Sequence, residues 1–217
     1  MQVAVDGPAG SGKSTVCKLI AEKYGLTYID TGAMYRSAAY ISKKYGSDNL
    51  EDKIAQVEFI FTNNGKFISV KYNGETYNLT DEIRTPEISK LVPSVAQNKE
   101  LRKLLVKKQQ SYALKSDVIM DGRDITTVVL PNADLKIYLT ASAEERAKRR
   151  YKEYEGKNNA PAYEEVLQDI IKRDKQDMER EESPLMQAED AILLDTTGLT
   201  LDEVVLKIGD TITKLRK

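Results

Sequence analysis

Gly7-Pro8-Ala9-Gly10-Ser11-Gly12-Lys13-Ser14 fills the pattern G-x-x-x-x-G-K-[ST] at every position. The apolar run Val3 to Val5 before it reads as a strand. A helix opens near Lys13 with Val16, Leu19 and Ile20 at helical spacing and ends before Gly25, which can stop it. Between strand and helix, the glycines let the backbone curl so that successive N–H groups point inward at phosphate oxygens, and the helix adds its positive end. Gly7, Pro8, Ala9, Gly10, Ser11, Gly12, Lys13, Ser14 and Thr15 are therefore the expected nucleotide-binding residues. Lys13 reaches the β- and γ-phosphates as a point charge, the Ser14 hydroxyl can enter the coordination of Mg2+, and Thr15 adds one more donor. A plain glycine-rich turn is the bland alternative; the full match, with its flanking strand and helix, argues against it.

Outward from this loop, short β-branched runs alternate with segments of helical period, the pattern of a parallel sheet with crossover helices. The runs are Val3 to Val5, Thr27 to Ile29, Val118 to Met120, Leu135 to Leu139 and Ile192 to Leu194. A last helix runs from about Leu201 to the end with Val204, Val205, Ile208 and Ile212 on one face. One stretch, from about Phe59 to Leu79, breaks the alternation. It holds three β-type runs separated by Asn63-Asn64-Gly65 and Asn73-Gly74, which are hairpin-turn signals. The expectation is a small antiparallel insert; a mere edge decoration is the alternative.

Composition excludes several chemistries. The 217 residues include 33 Lys and Arg against 34 Asp and Glu, no histidine, and one cysteine, Cys17. No imidazole can serve as base or metal ligand, and no intrachain disulfide or cysteine-rich zinc site can form. A net charge of −1 without a basic block argues against a nucleic-acid or membrane-surface binder. Apolar runs fall far short of the roughly 18 residues that span a bilayer, and with no basic region followed by an apolar stretch at the start no leader is expected. The chain is expected to be cytoplasmic, a compartment that also suits a lone thiol.

The remaining chemistry rests on ten arginines, a residue suited to bidentate phosphate contacts, although a single surface arginine is more often just a solvated charge. Asp30-Thr31-Gly32-Ala33-Met34-Tyr35-Arg36 follows the second strand; Thr31 can cap a helix, with Arg36 one turn on. Val118 to Asp124 puts charges at the carboxyl end of a buried strand, where open α/β sheets bind ligands. Asp121 there resembles the acid that orients Mg2+ through water, or else caps the next segment. Ser142 to Tyr154 reads as a helix with acids early and Arg146, Arg149 and Arg150 late. It leads into the polar break Gly156-Lys157-Asn158-Asn159, the composition of a lid. In a helix from about Pro161 to Arg180, an apolar stripe of Tyr163, Val166, Leu167, Ile170 and Ile171 continues into Asp177, with Arg173 and Arg180 along its edge. Either a binding site or a structural Arg-Asp-Arg triad would account for charges there. A GTPase is disfavoured, because its Asn-Lys-x-Asp segment finds only Asn98-Lys99-Glu100-Leu101.

Together DGPAGSGKST, DTGAMYR, the insert followed by Asp81 to Thr85, DGRDITTVVLP, ASAEERAKRR and RDKQDMER resemble the bacterial cytidylate kinase family over nearly the whole chain. DTGAMYR, DGRD with TVV, and the insert are not shared together by adenylate or shikimate kinases. The resemblance implies a single P-loop kinase domain over 1–217: a five-stranded parallel α/β sheet with flanking helices, the antiparallel β insert at about 59–79 and a helical lid at 149–162. Residues 31–115 would form the acceptor-nucleotide subdomain. It implies transfer of the γ-phosphoryl of ATP to CMP or dCMP with Mg2+, in pyrimidine metabolism, by a monomer whose partners are these small nucleotides. Position by position, Thr31, Arg36 and Arg123 match groups around the acceptor phosphate. Ser94, Arg102, Asp124 and Arg180 match those around the cytosine, and Arg173 with Asp177 those near the sugar. Lys13, Arg123, Arg149 and Arg150 are the expected catalytic cations, and Ser14 and Asp121 the expected Mg2+ residues. Thr31 departs from members with Ser, but the hydroxyl survives. Two other readings stay open: a P-loop kinase for a different small acceptor, and a nucleotide-dependent binding module.

Overall fold

A computed structural model of the protein describes residues 1–154 and 161–216. Five strands, β1 (Gln2–Asp6), β2 (Thr27–Asp30), β6 (Val118–Gly122), β7 (Leu135–Thr140) and β8 (Ile192–Asp195), form one sheet in the order β2-β6-β1-β7-β8, and every pairing is parallel. Each contains one of the five β-branched runs. The three inner strands, β6, β1 and β7, are buried on both faces and read as continuous apolar segments rather than alternating ones, whereas the edge strand β8 leaves Ile192 and Leu193 exposed.

Side chains pointing to the two faces feed two separate cores. On one face, Val3, Val5, Ile119 and Ile137 pack with α1 (Lys13–Tyr24) and α8 (Leu201–Leu215). On the other, Ala4, Ile29, Val118 and Met120 pack with α2 (Thr31–Tyr45), α3 (Leu50–Gln56), α4 (Pro86–Gln97) and α5 (Lys99–Ala113). Val204, Val205, Ile208 and Ile212 of α8 are all buried, as their spacing requires. Within α1 the buried face is Val16, Cys17, Ile20 and Ala21, while Leu19 is 37% exposed, one position outside the stripe that the sheet covers. Gly25 ends α1 in the left-handed conformation.

The insert is a separate antiparallel sheet of β3 (Glu58–Thr62), β4 (Phe67–Tyr72) and β5 (Glu75–Asn78). Its turns have positive φ at Asn63, Asn64, Gly65, Asn73 and Gly74, as Asn-Gly hairpins demand. Gly65 does more than turn. A Cβ there would lie 2.0 Å from the Tyr28 carbonyl oxygen, so the hairpin tip sits flush on the edge strand β2. The inner residues Phe59, Ile68 and Val70 join the core beneath α2–α5.

The last two helices are α6 (Ala143–Lys152), capped by Ser142, and α7 (Tyr163–Glu179). Ala147, Val166 and Ile170 make a third, small core between them. The expected stripe on α7 is shifted: Ile171 is 44% exposed, and the buried line runs Val166, Ile170, Asp174. The break at Gly156 to Asn159, and with it the part of the expected lid from 155 to 160, lies outside the described residues.

Candidate active site

The parallel register lines carboxylates along one edge of the sheet. Asp30 is opposite Asp121, Asp121 is opposite Val5 and Gly122 is opposite Asp6, while Asp124 follows just past β6. Buried acids so close together are costly unless each finds donors or cations. Asp6 accepts from the backbone N–H groups of Ile125 (2.9 Å) and Thr126 (2.7 Å) and from the Thr126 hydroxyl (2.7 Å). Burial still pushes its pKa up to about 6. Asp30 accepts the Ala33 N–H at 2.8 Å and lies between Arg36 (3.3 Å) and Arg84 (3.2 Å). Burial would raise its carboxyl, but the two guanidiniums outweigh it and hold the group below the usual range.

Asp30, not Thr31, is thus the cap of α2. A carboxylate at the strand end reaches the free N–H first, which releases the Thr31 hydroxyl to donate to the Asp121 carbonyl at 2.7 Å. The Asp121 carboxylate caps nothing. Its Oδ2 accepts from the Ser14 hydroxyl at 2.9 Å and its Oδ1 from the Tyr28 hydroxyl at 2.8 Å. Burial, then the neighbouring Asp30, raises its pKa.

The glycine-rich loop takes positive φ at Gly7, Gly10 and Gly12, and so curls around the Lys13 ammonium. Lys13 Nζ donates to the carbonyls of Gly7 (2.7 Å) and Pro8 (2.8 Å) and to Ser11 Oγ (3.1 Å). Burial first, and then the nearby Arg123, lower its pKa to about 7. A buried, under-compensated ammonium beside an arginine favours an incoming anion.

Across from this loop runs a chain of alternating charges. Arg102 pairs with Asp124 at 2.5 Å, both side chains almost wholly buried, and donates to the Ala96 carbonyl at 3.3 Å. Arg180 lies 3.9 Å from both Asp124 and Asp177 and donates through Nε to the Ser183 carbonyl. Arg123 Nε reaches Asp177 at 2.7 Å. Asp177 therefore joins Arg180, which helical spacing had set beside it, to Arg123, which spacing had not. The Arg102 guanidinium lies 5.5 Å from the Tyr35 ring, whose hydroxyl is buried without a partner; burial pushes its pKa up to about 12. Arg173 keeps an exposed side chain, yet the protein around it, and then Arg123, push its pKa down to about 10.

Other expected residues stand apart. The exposed Ser94 donates to the Leu91 carbonyl of its own helix at 2.8 Å. Arg149 donates twice to Thr196, at 3.0 Å to Oγ1 and 2.9 Å to the carbonyl, and faces the loop at Gly12. Arg150 turns away to Glu153 at 2.5 Å and lies over the Tyr154 ring. Asp6, Tyr28, Tyr35, Arg84 and Asp174 take part without having been singled out from the sequence as site residues, and Arg146 was marked there only as one of three arginines on the helix before the lid. For Asp174 a signal existed, its i, i+4 succession after Val166 and Ile170.

Among the described residues no group of three or more Cys, Asp or Glu side chains is disposed to hold a metal, and no helix is long and apolar enough to cross a membrane. Residues 3–214 match the family model described as cytidylate kinase. The chain is 47% identical over 215 residues to a cytidylate kinase of Bacillus velezensis, covering 96% of this chain and 94% of that one. It is 48% identical over 208 residues to a cytidylate kinase of Alkaliphilus oremlandii, covering 96% and 95%. Among solved structures, an uncharacterized protein from Eubacterium ventriosum aligns at TM-score 0.57 and 14% identity over 99% and 98% of the two chains. A shikimate kinase from Bacteroides thetaiotaomicron aligns at TM-score 0.50 and 13% identity over 98% of both. These two likenesses are likenesses of fold.

Proposed function

The chain belongs to the cytidylate kinase family and phosphorylates CMP or dCMP at the expense of ATP; from that premise we propose how its residues divide the work. The observation that carries the assignment is the meeting of two basic sites at one sheet edge: the Lys13 loop, and the Arg102–Asp124–Arg180–Asp177–Arg123 chain, with Arg123 close enough to depress the Lys13 pKa.

Residues 7–15 hold the ATP phosphates through loop N–H groups and Lys13. Thr31, Arg36 and Arg123 receive the acceptor phosphate. Cytosine offers an amine donor where uracil has a carbonyl, which suits the Asp124 carboxylate, while Arg102 and Arg180 supply donors to the ring, joined by Ser94 once its hydroxyl turns from the Leu91 carbonyl. Arg173 and Asp177 face the sugar. The attacking phosphate oxygen is already an anion, so no base is required, in keeping with a chain without histidine. Catalysis consists of aligning donor with acceptor and neutralising charge on the transferred group, by Lys13 and Arg123; Arg149 and Arg150 join them only by leaving Thr196 and Glu153.

The Ser14 hydroxyl and the buried Asp121 carboxylate are hard oxygen donors 2.9 Å apart, and they fit Mg2+ that Ser14 would ligate directly and Asp121 would orient through water, with phosphate completing the set. When bound, the ion would neutralise charge on the β- and γ-phosphates. Residues 31–115 serve as the acceptor subdomain and 149–162 as the lid, in a cytoplasmic monomer. ADP release measured with CMP, dCMP, UMP, AMP and shikimate as acceptors tests the reading. CMP and dCMP should lead, and preferential turnover of AMP or shikimate would overturn it.

A further inference from the structure

Where the α6–α7 pair, with its own small core, meets the glycine-rich loop, it holds the two peptides on either side of the Ala9 Cα. The Ala9 N–H donates to Asp174 Oδ1 at 3.0 Å, and the Ala9 carbonyl accepts from Arg146 Nη1 at 2.8 Å. The same Nη1 reaches Asp174 Oδ2 at 2.6 Å, closing a ring, and Arg146 Nε is anchored to the Ala141 carbonyl at 2.9 Å. Both side chains are buried, and they come from different helices. The next residue, Gly10, fits into the notch between those helices. At φ +73° a Cβ there would stand 3.3 Å from Arg146 Cβ and 3.6 Å from Ile170 Cδ1.

Buried ion pairs are often replaceable by apolar packing without loss of stability, so stability alone does not explain one here. Direction does. With the Pro8–Ala9 peptide held by its N–H and the Ala9–Gly10 peptide held by its C=O, neither can turn about the Ala9 Cα, and rotation of the Ala9–Gly10 link would swing the following N–H groups off a bound phosphate. We propose that Arg146 and Asp174 are positioning residues for the donor site, clamping the two peptides that flank the Ala9 Cα so that the loop keeps its phosphate-binding shape in register with α6, which carries Arg149. The inference rests on residues 7–15 being the ATP site.

Steady-state kinetics of the full-length enzyme with Asp174→Leu and Asp174→Asn test it. Both lose the ion pair, but only Asn keeps an acceptor for the Ala9 N–H. The Leu variant should raise the KM for ATP at least about tenfold, with the KM for CMP within about twofold, and the Asn variant should recover most of that loss; a displacement of the order of 1 Å is enough for effects of this size. Equal behaviour of the two variants, or parallel shifts in both KM values, would overturn the proposal. Amide hydrogen exchange on the unaltered enzyme covers the case of a variant that fails to fold. The Ala9 amide should be protected without nucleotide, and free exchange there would also overturn the clamp. Absence of any ATP effect on exchange across residues 7–15 would instead sink the donor-site reading, and the positioning role with it.

Discussion

Arg102 and Asp124 form an ion pair at 2.5 Å with side chains only 6% and 8% exposed, and Arg180 stands 3.9 Å from the same carboxylate oxygen. A carboxylate so enclosed is expensive to keep unless something beyond its partners needs it, and the proposed need is cytosine's exocyclic amine. Asp124→Asn should lower kcat/KM for CMP by about 10- to 100-fold, the size of a lost hydrogen bond to a charged group. UMP should suffer less, because the Asn amide can donate to its carbonyl. Kinetics with the two acceptors check this; an unchanged CMP to UMP ratio would remove Asp124 from base recognition.

Lys13 has a pKa of about 7 in place of the ordinary 10.5, burial being the first cause. Between those values the folded chain binds fewer protons at this site than the unfolded one, so the group's contribution to stability rises with pH across the window and falls as pH drops through it. Triphosphate would restore the ammonium. ATP binding near pH 8 should therefore take up close to one proton, and affinity should weaken as pH rises. Calorimetry in two buffers of different ionisation enthalpy reads the uptake directly. Lys13→Ala should abolish it and lower kcat by orders of magnitude in a folded protein.

Asp121 holds Ser14 on one oxygen and Tyr28 on the other. Asp121→Asn should raise the Mg2+ concentration needed for half-maximal activity about 10- to 100-fold, while ATP binding without metal changes little. A Mg2+ titration of both quantities separates the outcomes, and equal loss of metal-free binding would point to a collapsed loop instead.

Gly65 seats the insert on β2 with positive φ and no room for a Cβ. Gly65→Ala combines backbone strain with a steric clash and should cost about 2–3 kcal/mol, lowering Tm by about 4–12 °C in a chain of this size. Thermal denaturation measures it.

Much of this was legible wherever a local pattern carries its own physics. The loop from Gly7 to Ser14, the apolar strands, the Asn-Gly turns and the face of α8 each depend on neighbours a few residues away. What escaped depends on geometry between distant segments. Thr31 and Asp30 are both good caps on paper, and only the strand register decides that Asp30 reaches the Ala33 N–H. Leu19 and Ile171 fit helical stripes whose edges depend on where the sheet or α6 ends. Arg123 finds Asp177 across 54 residues, and Asp174 finds Ala9 across 165, pairings that no spacing rule encodes.

The central claim is that the Lys13 loop and the Arg102–Asp124–Arg180–Asp177–Arg123 chain are the donor and acceptor halves of one site. A crystal structure with a bisubstrate inhibitor, cytidine and adenosine joined through a polyphosphate, tests it most directly. Phosphates of the adenosine half should lie against residues 7–15, with the cytosine amine on Asp124 and the bridging phosphate beside Arg123. Cytosine bound away from Asp124, or phosphates outside the loop, would contradict the account.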